Sequence, residues 1–241
     1  MKVIILNKTD YQDKDIIVQA ISDSESLSFK LRGGQLPTSA FYFLNNPLTI
    51  ADIEYVENVR YKHQIVKGAK LIDTPFKEGQ SIKKLLAVSY ALELVNRAVG
   101  EEEKHLMFSA LEKYVSALNK IEDDDYLLIM ITLMAHALNV SGFSLDVDKC
   151  LHCGKRNSIV AFSFSEGGFL CRDCYSNDIP NDLSPVEMRL LRYTYKNKEF
   201  ALFANDFSLN DKKEVITKLH AFLTDALGIN INSLSLYLKE N

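Results

Sequence analysis

The stretch CLHCGKRNSIVAFSFSEGGFLCRDC, Cys150–Cys174, contains all four cysteines of a 241-residue chain. They form two C-x-x-C pairs, Cys150/Cys153 and Cys171/Cys174, with seventeen residues between the pairs. A tight turn through C-x-x-C presents both sulfurs on one side. Two such turns therefore offer four thiolates to one ion, and a tetrahedral zinc is satisfied by four sulfurs at roughly 2.3 Å. Gly154 follows the first pair, where a sulfur-cradling turn favours a residue with access to positive φ. Gly167 and Gly168 sit in the connecting hairpin, whose Val160, Phe162 and Phe164 alternate as in a strand. Four cysteine ligands close the site, so the expected zinc is structural, and it would fix an insert too poor in apolar residues to fold alone. A redox pair needs only one C-x-x-C and usually a surrounding βαβ pattern, which is absent here. His152, inside the first pair, reads as a surface residue because four cysteines already suffice.

Outside this window the composition is that of a globular protein, with 47% hydrophobic and 25% charged residues. The formal charge is −4, so no global basic field announces nucleic acid. The N-terminal apolar run is too short for a signal peptide. The longest apolar run, Tyr126–Leu138, has thirteen residues, whereas a membrane span needs roughly 20. It reads as a buried core helix, and the chain as soluble and cytoplasmic. In that reducing compartment paired cysteines are metal ligands more often than disulfides.

Upstream, the chain reads as short strands with period-two alternation. Leu27, Phe29 and Leu31 oppose Ser28, Lys30 and Arg32; Val59, Tyr61 and Ile65 oppose Arg60, Lys62 and Gln64. VIIL, DIIVQAI and ADIEYV add three more strands, and Gly33-Gly34, Asn45-Asn46-Pro47 and Gly68 supply turns. About five short strands with one polar face suggest a small barrel or a strongly twisted sheet. From Ser81 the period becomes helical, with Leu85, Val88, Leu92, Val95 and Val99 on one face and Gly100 as a stop. A second helix opens on Glu101, Glu102 and Glu103 and carries Met107, Leu111, Tyr114 and Leu118. Asp123, Asp124 and Asp125 open a third, where their charges suit a helix N-terminus better than a metal site. After the cysteines, Ser184–Glu187 is a capping box with proline at the first helical position. A last helix is expected from about Asp211 to Gly228, with Val215, Leu219, Phe222 and Ala226 inside. The expected fold is α+β: a β-rich module over residues 1–80, then a helical domain over 81–241 interrupted by a cysteine-bearing insertion at about 146–178.

No other motif carries chemistry. Arg32–Pro37 lacks the lysine and spacing of a phosphate loop, and no nucleophile elbow or H-E-x-x-H is present. The five histidines are scattered without ligand spacing, and His136 reads as a hydrogen-bonded core residue. The chain does not read as an enzyme. Lys30 and Arg32 share one strand face and Arg60 and Lys62 another, followed by Lys67 and Lys70. Beside Tyr42, Phe43 and Tyr61 such cations could track a phosphate backbone while bases stack on the rings. The competing reading is an ordinary solvated strand face, since residues 1–80 carry ten basic and ten acidic residues.

The order of parts resembles the bacterial recombination-mediator family RecO. The likeness is carried by YQDKDIIVQAIS (Tyr11–Ser22), RGGQLPTS (Arg32–Ser39), the two helices of Ser89–Leu118, and NVSGFSLDVDKCLHCGK (Asn139–Lys155). It runs from Met1 to about Asn177 and is faint beyond. The resemblance implies an oligonucleotide-binding (OB) fold barrel, a helical domain and a structural zinc finger. It also implies a non-enzymatic role in DNA repair and recombination in the bacterial cytoplasm, at the nucleoid. Such a protein binds single- and double-stranded DNA, anneals complementary strands and, with RecR, loads RecA onto DNA coated by single-strand binding protein. The coating protein's acidic C-terminal tail docks on the helical domain, which calls for an apolar groove with a cation at its rim. DNA contacts are expected at Lys30, Arg32, Arg60, Lys62, Lys67 and Lys70, and zinc ligands at Cys150, Cys153, Cys171 and Cys174.

One departure stands out. Gln35 and Thr38 occupy positions where the family's turn is commonly basic, leaving only Arg32 in that stretch. Each lost phosphate contact shrinks the counterion-release contribution, so direct DNA affinity is expected to be weaker and reliance on protein partners greater. The alternative is a protein–protein adaptor of the recombination machinery with little direct DNA binding. A zinc enzyme would need an open metal position, which four thiolates do not leave.

Overall fold

The computed structural model describes residues 1–56, 64–77, 81–121, 126–200 and 207–240. Strands β1 (Lys2–Tyr11), β2 (Asp15–Ile21), β3 (Ser26–Leu31), β4 (Ile50–Val56) and β5 (Gln64–Asp73) close into a barrel in the order β1-β2-β3-β5-β4. The pairings are antiparallel except β3 with β5, which is parallel through Phe29–Gln64 and Lys30–Ile65. Five strands in this closed order make an OB-like barrel. A 3₁₀ turn, Tyr42–Asn45, plugs it with Leu44, while Phe41 and Phe43 pack alongside.

The run VIIL shows no alternation because its strand is buried on both faces. Val3 and Ile5 point into the barrel beside Val18, Phe29 and Ile53. Ile4 and Leu6, with Ile21, Leu48 and Ile50, belong to the core of the helices instead. The barrel wall is thus also the floor of the helical core.

The fifth strand differs from its sequence reading. Residues 57–63 lie outside the described residues, and β5 runs straight through Gly68, which had read as a turn. Gly68 sits opposite Glu54, where the ladder shifts register. A Cβ there would come within 3.2 Å of the Glu54 carboxylate, so the glycine serves a bulge crossing rather than a chain reversal.

Helices α1 (Ile82–Ala98), α2 (Phe108–Leu118), α3 (Tyr126–Val140), α4 (Pro185–Lys196), α5 (Leu209–Leu227) and α6 (Ser233–Lys239) build the rest. Every residue of α3 from Tyr126 to Ala135 is buried, so it is the hub, packed by α1, α2, α4 and α5. The three aspartates before it lie outside the described residues. On α1, Val88, Val95 and Val99 are buried as expected, but Leu85 is exposed and Leu92 half-buried, and Ala87, Tyr90, Ala91 and Leu94 complete the buried face instead. Small residues let α1 approach closely, whereas counting large apolar residues drew the stripe towards one edge of that face. Helix α2 starts later than its acidic lead: Glu101–Glu103 precede a 3₁₀ turn, Lys104–Met107. The expected Ser184/Glu187 capping box forms on α4, a second box at Ser208/Asp211 starts α5 earlier than expected, and α5 stops at Gly228 with φ +63°.

Helix α6 carried no sequence expectation, having only seven residues. It is docked by Tyr237, fully buried, and by Glu93 of α1, whose carboxylate accepts the Asn232 and Ser233 amides at 3.0 and 2.9 Å. Among the described residues no helix is long and apolar enough to cross a membrane.

Candidate metal centre and nucleic-acid interface

Strands β6 (Ile159–Ser163) and β7 (Gly168–Cys171) form the hairpin between the two cysteine pairs. Each pair occupies a tight turn. At the first, the Gly154 amide donates to the Cys150 carbonyl at 2.9 Å, and Gly154 has φ +73°. At the second, the Cys174 and Tyr175 amides donate to the Cys171 carbonyl at 3.0 and 2.9 Å. Gly168 allows the approach strand to cross: a Cβ there would lie 2.4 Å from the Asp146 carbonyl oxygen. That carbonyl instead accepts the Phe169 amide at 3.0 Å.

The hairpin does not stand alone. Ala161 and Leu170 pack with Cys150 and Cys171 on one side, while Phe162 and Phe169 belong to the helical core on the other. The insert, expected to be too poor in apolar residues to fold alone, thus has the helical core as a second support beside the metal site. Burial on both sides also explains why β7 shows no polar alternation.

The four Sγ atoms lie within 4.8 Å of one another. Cys153 and Cys171 are 3.5 Å apart, far beyond the roughly 2.0 Å of a disulfide. Sulfurs bound tetrahedrally to zinc stand roughly 3.8 Å apart, so the cluster needs little adjustment. Burial opposes the Cys150 thiolate, but the amides of Cys171, Cys153 and His152 hold its pKa down to about 6. Cys174 is pushed up to about 12 by its hydrogen bond to Cys153, by burial and by the remaining sulfurs. Four thiols this close cannot all ionise unless a cation sits among them. The donor set therefore fits zinc. His152 is not part of it: it is exposed and pairs with Glu166 at 3.0 Å.

The cations expected to contact DNA do not form one uniform set. Lys30 lies on the outer side of β3 and Arg32 just past its end, in the following turn, and the parallel register sets Lys30 beside Ile65. Two residues on, β5 presents Lys67, which is exposed as Arg32 is. Among the described residues neither Arg32 nor Lys67 is ion-paired. Lys30 is tied to Asp15 at 2.9 Å and lies 4.5 Å over the Tyr11 ring. The Gly33 amide and Lys30 hold the Asp15 carboxyl below the usual carboxylate range. Lys70 stands opposite Asp52, which also binds the N-terminal ammonium at 2.7 Å. Arg60, Tyr61 and Lys62 lie outside the described residues. Tyr42 is exposed, while Phe43 packs against the barrel core. Gln35, at the departure from the basic turn, donates to the Asp15 carbonyl at 3.0 Å and so braces the β1–β2 turn.

His136 is stacked on Phe200, with ring centroids 5.7 Å apart, so its partner is an aromatic face. Sequence reasoning passed over Arg156, Arg189 and Arg192, which converge at one groove between the hairpin and α4. On α4, Arg189 and Arg192 fall one helical turn apart, and that spacing was the available signal.

Comparison with known proteins agrees with this architecture. A family model described as recombination protein O, C terminal, matches residues 79–235, well past Asn177 where the local likeness had faded. A protein of Bacillus pumilus (strain SAFR-032) named DNA repair protein RecO is 23% identical over 245 residues, covering 95% of this chain and 90% of its own. Its namesake in Bacillus subtilis (strain 168) is 23% identical, covering 80% and 75%. That of Mycoplasma mycoides subsp. mycoides SC is 25% identical, covering 93% and 87%. A barrel closed in the OB order, a helical body built on α3 and four convergent cysteines accompany a family match over most of the chain, which therefore belongs to the RecO family.

Proposed function

We propose that this chain is a DNA-repair and recombination mediator: it binds DNA, anneals complementary single strands and, with RecR, helps load RecA onto DNA coated by single-strand binding protein. The observation that carries the reading is family membership across residues 79–235, joined to relatives named DNA repair protein RecO that align along both modules. The barrel, residues 1–80, is the DNA-contacting domain, through Arg32 and Lys67 first, with Lys30 and Lys70 beside them; Arg60 and Lys62, outside the described residues, are assigned to the same contact from the sequence alone. Neutralising phosphates on two strands lowers their mutual repulsion, so complementary bases can meet. One zinc ion held by Cys150, Cys153, Cys171 and Cys174 is structural; when bound it supplies cross-linking and no open coordination position.

The acidic tail of the coating protein is assigned to the groove between the hairpin and α4. This groove has a volume of about 290 Å³, an apolar floor of Ile159, Phe169 and Met188, and Arg156, Arg189 and Arg192 around it. Asp148 already engages Lys196 at 2.5 Å and Arg192 at 3.8 Å. Among the described residues Arg156 and Arg189 make no ion pair, so they remain for a carboxylate guest.

A second reading, an adaptor with little DNA affinity, draws on the Lys30–Asp15 pair and on the bracing role of Gln35. Fluorescence anisotropy of a labelled single-stranded oligonucleotide, titrated across salt concentrations, separates the two. Saturable binding with a steep salt slope supports the mediator. No binding at 20–50 mM salt, the low end at which phosphate contacts are strongest, leaves only the adaptor.

A further inference from the structure

A second groove, opposite in charge to the arginine-lined one, lies where the hairpin tip meets α5. It has a volume of about 590 Å³ and is lined by Phe164, Asp182, Lys218, Ala221, Phe222 and Asp225, with Ser165 at its mouth. From α5 come positions 218, 221, 222 and 225, one continuous stripe of the helix. Phe222 stacks on Phe164 with centroids 5.1 Å apart and planes 24° from parallel. Phe164 is held from two further directions. Its ring stands nearly perpendicular to that of Phe162 with centroids 4.9 Å apart, and its amide donates to the Asp182 carboxylate at 2.7 Å. The aromatic floor is therefore fixed, half-buried and open to solvent on one side.

The charge around this floor is negative. Lys218 is drawn to Glu187 at 2.7 Å and to Glu214 at 4.0 Å, so its ammonium is already neutralised and its aliphatic stem forms the wall. Among the described residues neither Asp182 nor Asp225 is ion-paired. Fixed aromatic faces attract a cation through their quadrupole, and the two carboxylates at the rim, of which Asp182 also accepts the Phe164 amide, complete the complementarity. A phosphate backbone or an acidic peptide would be repelled here. Ala221, the small residue on the stripe, lets a chain lie against α5 without a side chain intervening.

We infer that this groove is a docking site for a basic segment of a partner protein, which inserts an arginine or lysine side chain over Phe164 and Phe222 and between Asp182 and Asp225. The assignment does not depend on DNA binding by the barrel. The test uses the full-length ¹⁵N-labelled chain and an acetylated, amidated pentapeptide, glycine-leucine-arginine-leucine-glycine. Its counterpart carries citrulline, which keeps the shape of arginine and removes the charge. The arginine peptide should shift the Ser165, Ala221, Phe222 and Asp225 amide resonances saturably. The citrulline peptide should bind about ten-fold more weakly. Asp182→Asn combined with Asp225→Asn should weaken the arginine peptide similarly, and the asparagine at 182 keeps an acceptor for the Phe164 amide. Absence of shifts at millimolar peptide overturns the inference, as do shifts confined to other residues. Equal binding of the two peptides overturns it too, and this last comparison needs no variant to fold.

Discussion

Gly154, Gly168 and the four cysteines show how much a single residue can decide here. Positive φ at Gly154 closes the first turn, and the bare Cα of Gly168 lets the approach strand cross, so that four sulfurs arrive within 4.8 Å of one another. The purified chain should carry one zinc per molecule by elemental analysis. Cys171→Ser should abolish that stoichiometry and cost several kcal/mol, lowering Tm by at least about 10 °C. Zinc retained at full stoichiometry in that variant would contradict the ligand set. On the barrel, Arg32→Gln and Lys67→Gln should each reduce the slope of log affinity against log salt by about one. Lys70→Gln should change it much less, because Asp52 already faces that lysine. Anisotropy titrations at four salt concentrations would rank the three. The cation types were legible in the sequence, but their pairing was not: Asp15 and Lys30 are fifteen residues apart and meet only across β2 and β3.

At the level of elements, caps and cross-helix pairs determine where helices stop and how they lock. The Ser184/Glu187 box could be read directly, since its spacing is local. Its second use could not. The Glu187 side chain is only 7% exposed and also receives Lys218 from α5 at 2.7 Å. Burial opposes the charged form, but Lys218 and the Ser184 amide and hydroxyl hold the Glu187 carboxyl below its ordinary value of 4.5. A depressed carboxylate stabilises the fold above the unfolded-state pKa, and that contribution is lost as pH falls through the folded-state value. Glu187→Gln should therefore cost about 1–3 kcal/mol at pH 7. The difference in Tm from the parent should shrink as pH falls below 4.5 and through the depressed folded-state pKa. A gap that stays constant down to pH 3 would show that the ion pair contributes nothing. Helix α6 illustrates the opposite case. Its N-terminus is satisfied by Glu93, some 140 residues earlier in the chain, so nothing in its own seven residues announces it.

For the molecule as a whole, the defining feature is a barrel wall shared between two cores. Ile4 faces the helices while Val3 and Ile5 face the barrel interior, and Asn119 of the α2 end donates to Asp73 and to the Thr74 carbonyl at 3.0 and 2.9 Å. Ile4→Ala should cost about 2–5 kcal/mol. It should also accelerate hydrogen exchange in β1–β5 and in α1–α3 together, because one wall serves both. Faster exchange in the helices alone would mean that the two modules open independently. Periodicity and spacing announced the class of the fold, the hub helix, the Ser184/Glu187 capping box and the four-sulfur cluster. Each of these rests on local periodicity or on spacing within about one turn or one hairpin. Long-range contacts set the path of β5 through Gly68, the burial of the small residues of α1, the docking of α6, which lysines stay unpaired, and the two grooves of opposite charge. Those depend on contacts between residues far apart in the chain, where burial and charge neutralisation are set by neighbours that no local pattern names.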